Sequence, residues 1–279
     1  MTPIAGTMQA FFTDRLVRQL KASEHTIAAY RDTLRMLLVF ATARTGKSAS
    51  RLDFADLDAP LVAAFLDHLE TDRRNSARTR NARLAAIHSL FAFAALRHPE
   101  HAAGITRVLA IPAKRSEKTI VTYLTDAELD ALLASPDQTT WTGRRDHSLI
   151  VTMAQTGLRA SEATGLTLAD LNLGTAAHLR CHGKGRKDRV TPLTSHTITV
   201  LHAWTRERGG APADVLFPNR TGQQLSRDAL ARRIAHHAAA DCPSLAGKIV
   251  TPHVLRHTAA MRLLHAGVDV TVIALWLGP

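Results

Sequence analysis

Four residues of this 279-residue chain stand in contexts suited to gripping a phosphate: Arg159, Lys184, His253 and Arg256. Arg159 follows a glycine in Thr156-Gly157-Leu158-Arg159-Ala160-Ser161-Glu162, beside an apolar segment, which is an odd place for a residue that serves only solubility. Glu162, three residues on, can hold the guanidinium if the segment is helical; a structural Arg–Glu pair explains this fragment equally well by itself. In Thr251-Pro252-His253-Val254-Leu255-Arg256-His257-Thr258 the threonine is a natural N-cap and the proline suits the first helical position. His253 then falls in the first turn, where unpaired N–H groups and the helix dipole favour an anion. Arg256 lies on the same face, and His257 points nearer the neighbouring row. Lys184 sits at the glycine-flanked tip of Gly183-Lys184-Gly185-Arg186-Lys187-Asp188, able to reach into a groove, although loop lysines are usually just solvated. His253 and His257 are four apart, as metal ligands can be. No third ligand or adjacent acid supports a metal, and no cofactor is implied.

These side chains need elements to position them. Thr125-Asp126-Ala127-Glu128 is a capping box ahead of Leu129, Leu132 and Leu133. Asp146 to Leu158 reads as a buried helix with Leu149, Ile150 and Met153 on its apolar side. His178–Cys181 and Arg189–Leu193 flank the Lys184 turn as a hairpin. The stretches 196–208, 226–240, 252–266 and 269–277 read as helices. In the first hundred residues, three stripes mark further helices: Ile27, Tyr30, Leu34, Leu37 and Leu38; Leu61, Phe65, Leu66 and Leu69; and Leu84, Ile87, Leu90, Phe91 and Ala94. These stripes are core positions. The fold class that follows is mainly α with a small β-sheet. Residues 1–105 form a helical bundle of four or five short helices, 106–120 a linker rich in polar residues, and 121–279 a mixed α+β domain.

Charge narrows the partner. Lys and Arg number 35 against 24 acids, leaving +11, and the excess is +7 over residues 1–120 and +4 over 121–279. A basic excess on both halves suits a polyanion lying between them, because neutralised phosphates release counterions. Arg73, Arg74, Arg78, Arg80 and Arg83 crowd one stretch without an acid among positions 73–83, interleaved with Asn75, Ser76, Thr79 and Asn81. A solvated basic face and a DNA-backbone contact both fit; the whole-chain charge favours DNA. Cys181 and Cys242 form no CxxC pair, no stretch approaches a membrane span, and the N-terminus has no signal pattern. A soluble cytoplasmic protein is expected.

Taken together, the segments TGLRASE at 156–162, HGKGRKDR at 182–189, HVLRHT at 253–258 and WLG at 276–278 resemble the tyrosine recombinase, or phage integrase, family, in the family's order. HTIAAYRDTL at 25–34 and TRNARLAAIHSLFAF at 79–93 resemble its helical, SAM-like core-binding domain, so the likeness covers nearly the whole chain. The resemblance implies a site-specific DNA recombinase that cleaves and rejoins double-stranded DNA through a 3′-phosphotyrosyl intermediate, without metal or ATP. Arg159 and Arg256 would clamp the nonbridging oxygens. Lys184 would protonate the leaving 5′-oxygen, and His253 would assist proton transfer. Glu162 and His257 would support them, and Arg186 and Lys187 would contact DNA beside the bundle's arginines. The intact family works as a tetramer on DNA.

One departure qualifies that picture. The family places its nucleophilic tyrosine shortly after a His or Trp that follows LG; here Pro279 stands at that position, and the only tyrosines are Tyr30 and Tyr123. The expectation is a chain truncated before the nucleophile. It would be monomeric by itself, and would bind DNA without completing strand exchange. The alternative is a non-catalytic DNA-binding accessory or inhibitor of an intact recombinase. A two-metal nuclease is disfavoured, since the carboxylate clusters it needs are missing.

Overall fold

The computed structural model describes residues 4–115, 122–183, 188–240, 245 and 247–278. The chain divides into two compact units, Met1–Lys118 and Thr119–Pro279. Each has its own apolar core.

In the first unit, α1 (Ile4–Ala10) runs into a wider π-type turn at Phe11–Gln19. Three capped helices follow: α2 (Glu24–Thr45), α3 (Ala59–Thr71) and α4 (Ala77–Ala95). Their starts are set locally, because the side chains of Ser23, Asp58 and Ser76 accept from Thr26, Leu61 and Thr79 backbone N–H. The apolar stripes meet inside: Leu37, Leu66, Leu90 and Phe91 are fully buried. A fifth helix, α5 (Ala102–Leu109), buries Ile105 and Val108 in the same core.

That helix changes the reading of 106–120 as a linker. Gly104 lies inside α5, and the chain beyond it is strapped back onto α4. Arg80 donates to the Pro112 carbonyl at 3.0 Å, and Asn81 exchanges hydrogen bonds with both backbone groups of Lys114. Sparse apolar periodicity hid a short helix with only two core residues. Positions 116–120 lie outside the described residues.

The second unit opens with α6 (Asp126–Ala134) behind the Thr125 capping box. Its spine is α7 (Trp141–Thr156), packed against α9 and α11. Ser148, Thr152 and Thr156 are buried on α7 and donate their hydroxyls to carbonyls one turn back, which removes the cost of burying them. After α8 (Ala160–Gly165) comes an antiparallel sheet in the order β1 (Leu171–Asn172), β2 (His178–His182), β3 (Asp188–Pro192). The hairpin pairs Cys181 with Arg189 and Arg180 with Val190. Helices α9 (Ser195–Arg208), α10 (Arg227–Ala240), α11 (Pro252–His265) and α12 (Val270–Leu277) complete the unit. No described helix is long and apolar enough to cross a membrane.

Candidate active site

The turn between α7 and α8 explains the glycine of TGLR. Gly157 has φ +65°, and a Cβ there would stand 2.4 Å from the Leu277 side chain and 3.3 Å from Ala259. Only glycine allows both the left-handed turn and the close passage of α11 and α12. Its carbonyl, exposed by that turn, accepts from Arg256 Nη1 at 2.7 Å. The next-but-one residue, Arg159, is the N-cap of α8.

Glu162, in the first turn of α8, accepts from the Arg159 backbone N–H at 2.8 Å and from its Nη1 at 2.9 Å. The same carboxylate receives both ends of a second guanidinium, Arg189, at 2.9 and 2.8 Å. Burial by itself would raise the Glu162 pKa; the hydrogen bonds from Arg189 and Arg159 prevail and hold it at about 2.

Arg256 comes from the second turn of α11. Thr251 caps that helix by accepting from Val254 N–H, which leaves His253 exposed on the first turn. Arg159, His253 and Arg256 line one open cavity of about 480 Å³, joined by Ser161, Arg227 and Thr251. Arg256 is held by carbonyl oxygens of Gly157, Leu277 and Gly278, and Arg159 Nη2 reaches the Gly278 oxygen at 3.3 Å. Burial, then the positive charge of Arg159, pushes the Arg256 guanidinium down to about 10. It remains a cation at neutral pH. Two cations side by side at an open cavity offer N–H donors and positive charge to which an anion can bind.

Residues 122–278 match the phage integrase family, and residues 10–98 match the N-terminal SAM-like domain of phage integrases. The chain belongs to the phage integrase family, the tyrosine recombinases. It is 53% identical over 278 residues to y4rC of Sinorhizobium fredii, which carries an integrase/recombinase name, covering 99% of this chain and 84% of the relative. It is 34% identical to the tyrosine recombinase XerC of Pelobacter propionicus, over 100% of this chain and 88% of that one. Its fold is similar to that of a lambda integrase dimer bound to a core site, with TM-score 0.71 at 15% identity, over 100% and 95% of the two chains. The XerH site-specific recombinase bound to difH substrate is similar at TM-score 0.65 and 25% identity, over 92% of this chain and 74% of that one. Tyrosine recombinases break and rejoin DNA.

Within this recombinase fold the residues expected to act together do not all meet. Arg159, Glu162, His253 and Arg256 surround one site. His257 does not line the cavity; it makes an edge contact with Tyr123 at 6.2 Å. It follows Arg256 directly, and that single step turns it about 100° round the helix from the guanidinium. Lys184, Arg186 and Lys187 lie outside the described residues. Among the described residues, no group of three or more His, Cys, Asp or Glu could hold a metal ion. Neither tyrosine lines the cavity: Tyr30 stacks on Phe11 at 6.3 Å, and Tyr123 stands between His257 and His265.

In the first unit, Arg73, Arg74 and Arg78 are exposed, as a DNA contact requires. Arg80 is not; it is 5% exposed and turned inward to Pro112. Arg83 is half-buried, donating to Met36 Sδ, with its pKa lowered by burial and by the charge of Arg73. A helix from 77 to 95 cannot present positions 78, 80 and 83 on one face, because those steps span too much of the turn.

Arg189 escaped the sequence reading. Strand patterning favours Val190 inward and Arg189 outward, and the structure has the reverse, with Val190 58% exposed. The available signal was alternation with Thr191, which is buried.

Proposed function

We propose that this chain is a site-specific DNA recombinase subunit whose second unit seizes one backbone phosphate of duplex DNA between Arg159 and Arg256. The observation that carries the reading is the convergence of these guanidiniums at one cavity, Arg159 anchored to the Glu162 carboxylate and Arg256 held by backbone oxygens alone among the described residues. A phosphodiester fits because its nonbridging oxygens accept paired N–H donors, and charge growing there in the transition state strengthens those bonds. His253 at the rim would move a proton, and Lys184 would protonate the 5′-oxygen as the P–O bond breaks. Exposed Arg73, Arg74 and Arg78 would grip the backbone elsewhere along the duplex. A tetramer on DNA is the assembly read for the intact family, in keeping with a lambda integrase described as a tetramer bound to a Holliday junction, and the chain by itself is read as a monomer.

Tyr30 and Tyr123 are not read as the attacking tyrosine, since both rings are held in aromatic contacts and neither lines the cavity. We read residues 122–278 as the DNA-binding, phosphate-holding part of the reaction; the alternative is a non-catalytic DNA-binding accessory or inhibitor of an intact recombinase. Fluorescence anisotropy with duplex DNA at low salt tests the binding. Wild type is expected to bind, with affinity falling as salt rises, and Arg159→Gln or Arg256→Gln to weaken it roughly tenfold. Wild-type-like affinity in both variants would reject the phosphate site. A nicked suicide substrate tests the remainder: no covalent protein–DNA band is expected, and one would show that a tyrosine of this chain does attack.

A further inference from the structure

Arg189 has no role in the reading above, yet it joins three elements of the site. It projects from β3 at the second residue of the strand, paired with Cys181 of β2. Its side chain is 11% exposed. Its Nη1 and Nη2 donate to the two oxygens of Glu162 on α8, and its Nε donates to the Trp276 carbonyl at the end of α12 at 3.0 Å. All three nitrogens are therefore engaged, and the group is too enclosed to meet DNA itself. Gly278 passes over it so closely that a Cβ there would lie 3.3 Å from Arg189 Cδ.

The arrangement at Glu162 decides what Arg159 can do. A carboxylate with no other partner takes an arginine fork-on, engaging two guanidinium nitrogens. Here Arg189 takes that two-pronged position, and the guanidinium of Arg159 meets Glu162 through Nη1 to Oε1. The Nη2 edge of Arg159 is thereby directed past Glu162 toward the cavity side, where it meets the Gly278 oxygen. Without Arg189, Glu162 would draw in both ends of Arg159.

We infer that Arg189 is a positioning residue: by occupying Glu162 bidentately it turns one edge of Arg159 toward the phosphate cavity and ties that setting to β3. The inference rests on the phosphate reading of Arg159 and Arg256. A general structural brace would affect stability alone, whereas a positioning residue must lose its effect on DNA once Arg159 is gone.

The experiment is a double-mutant cycle on the full chain, read by anisotropy with a mixed-sequence duplex at low salt. The proteins are wild type, Arg159→Gln, Arg189→Gln and the double variant. Each single substitution should weaken binding roughly tenfold, and the double should bind no worse than the weaker single, because both remove the same contact. Losses that multiply, or an Arg189→Gln protein that binds like wild type, overturn the role of Arg189 and leave the phosphate site standing. An Arg159→Gln protein that binds like wild type overturns the phosphate site and this inference together. Arg189→Lys is run in the same cycle and carries the test alone if Arg189→Gln does not fold. It keeps the charge but lacks the planar fork, so binding weaker than wild type is expected, and full recovery would overturn the positioning role.

Discussion

Two buried carboxylates anchor the second unit, and they treat their arginines differently. Asp146 on α7 is 1% exposed and gathers Arg145, Arg233 and His237, so that α10 is fastened to α7. Arg145 is itself 2% exposed, with its remaining Nη1 on the Pro218 carbonyl. The Asp146 oxygens are met by groups of the same unit, although the Arg233 side chain stays 33% exposed. Around Glu162, Arg189 closes inward, but Arg159 and Arg256 stand at an open cavity, and among the described residues Arg256 has no carboxylate partner. Composition alone would rank the two clusters alike. What separates structure from function is the direction in which the guanidiniums are left to act.

The largest effect should come from breaking the closed cluster. Asp146→Asn leaves Arg145 buried without its counter-charge, which typically costs about 3–5 kcal/mol. Urea unfolding is expected to show that loss, while DNA affinity per folded molecule stays at the wild-type level. A large affinity loss in a folded Asp146→Asn protein would erase the distinction between the clusters.

Acid should reach both carboxylates. Glu162 is held at about 2 against an ordinary 4.5, and Asp146 at about 2 against 3.8. A depressed carboxylate stabilises the fold above its unfolded pKa, and the contribution disappears as pH falls through the folded value. Wild type is therefore expected to exceed Glu162→Gln in stability by about 3 kcal/mol at neutral pH. The gap should close between pH 4.5 and about 2. Denaturant midpoints measured along that range check it; a constant gap would mean that the charge of Glu162 contributes nothing.

At the open cavity the balance shifts from stability to binding. Burial and Arg159 already depress the Arg256 pKa, so removing one cation relieves repulsion. Arg256→Gln is expected to change folding free energy by less than about 1 kcal/mol while weakening duplex DNA roughly tenfold. Unfolding and anisotropy on the same preparation test the split, and the opposite pattern would make Arg256 a brace like Arg145.

The same contrast explains what could be read from the sequence. Helix starts at Thr125 and Thr251 were legible because a cap lies within three residues of what it satisfies. The glycine of TGLR and the first-turn His253 were legible for the same local reason. Arg80 and Arg189 were not. Their partners, Pro112 and Glu162, lie 32 and 27 positions away, and nothing near either arginine marks the link. An arginine in a basic run and one turned inward look identical until the distant acceptor is placed.

The smallest expected effect lies at the hairpin. His182 is placed between two carboxylates, with Nδ1 2.9 Å from Asp188 and Nε2 3.0 Å from Asp170. Asp188 faces it across the strand register, and Asp170 is itself held by Thr167, so the imidazolium ties the hairpin to the turn at Leu168–Asp170. Hydrogen bonds to Asp188 and then Asp170 raise the His182 pKa above 6.5. A raised histidine stabilises the fold below its unfolded pKa and loses that contribution as pH rises through the folded value. The side chain is 60% exposed, so solvent screening holds the contribution under about 1 kcal/mol. Amide exchange along β2 and β3 should accelerate modestly as pH rises through that transition, after correction for intrinsic exchange. His182→Gln should show the faster exchange already below pH 6.5, where the wild-type imidazole is charged. Equal protection in the two proteins across the range would show that the twin carboxylates merely solvate the ring.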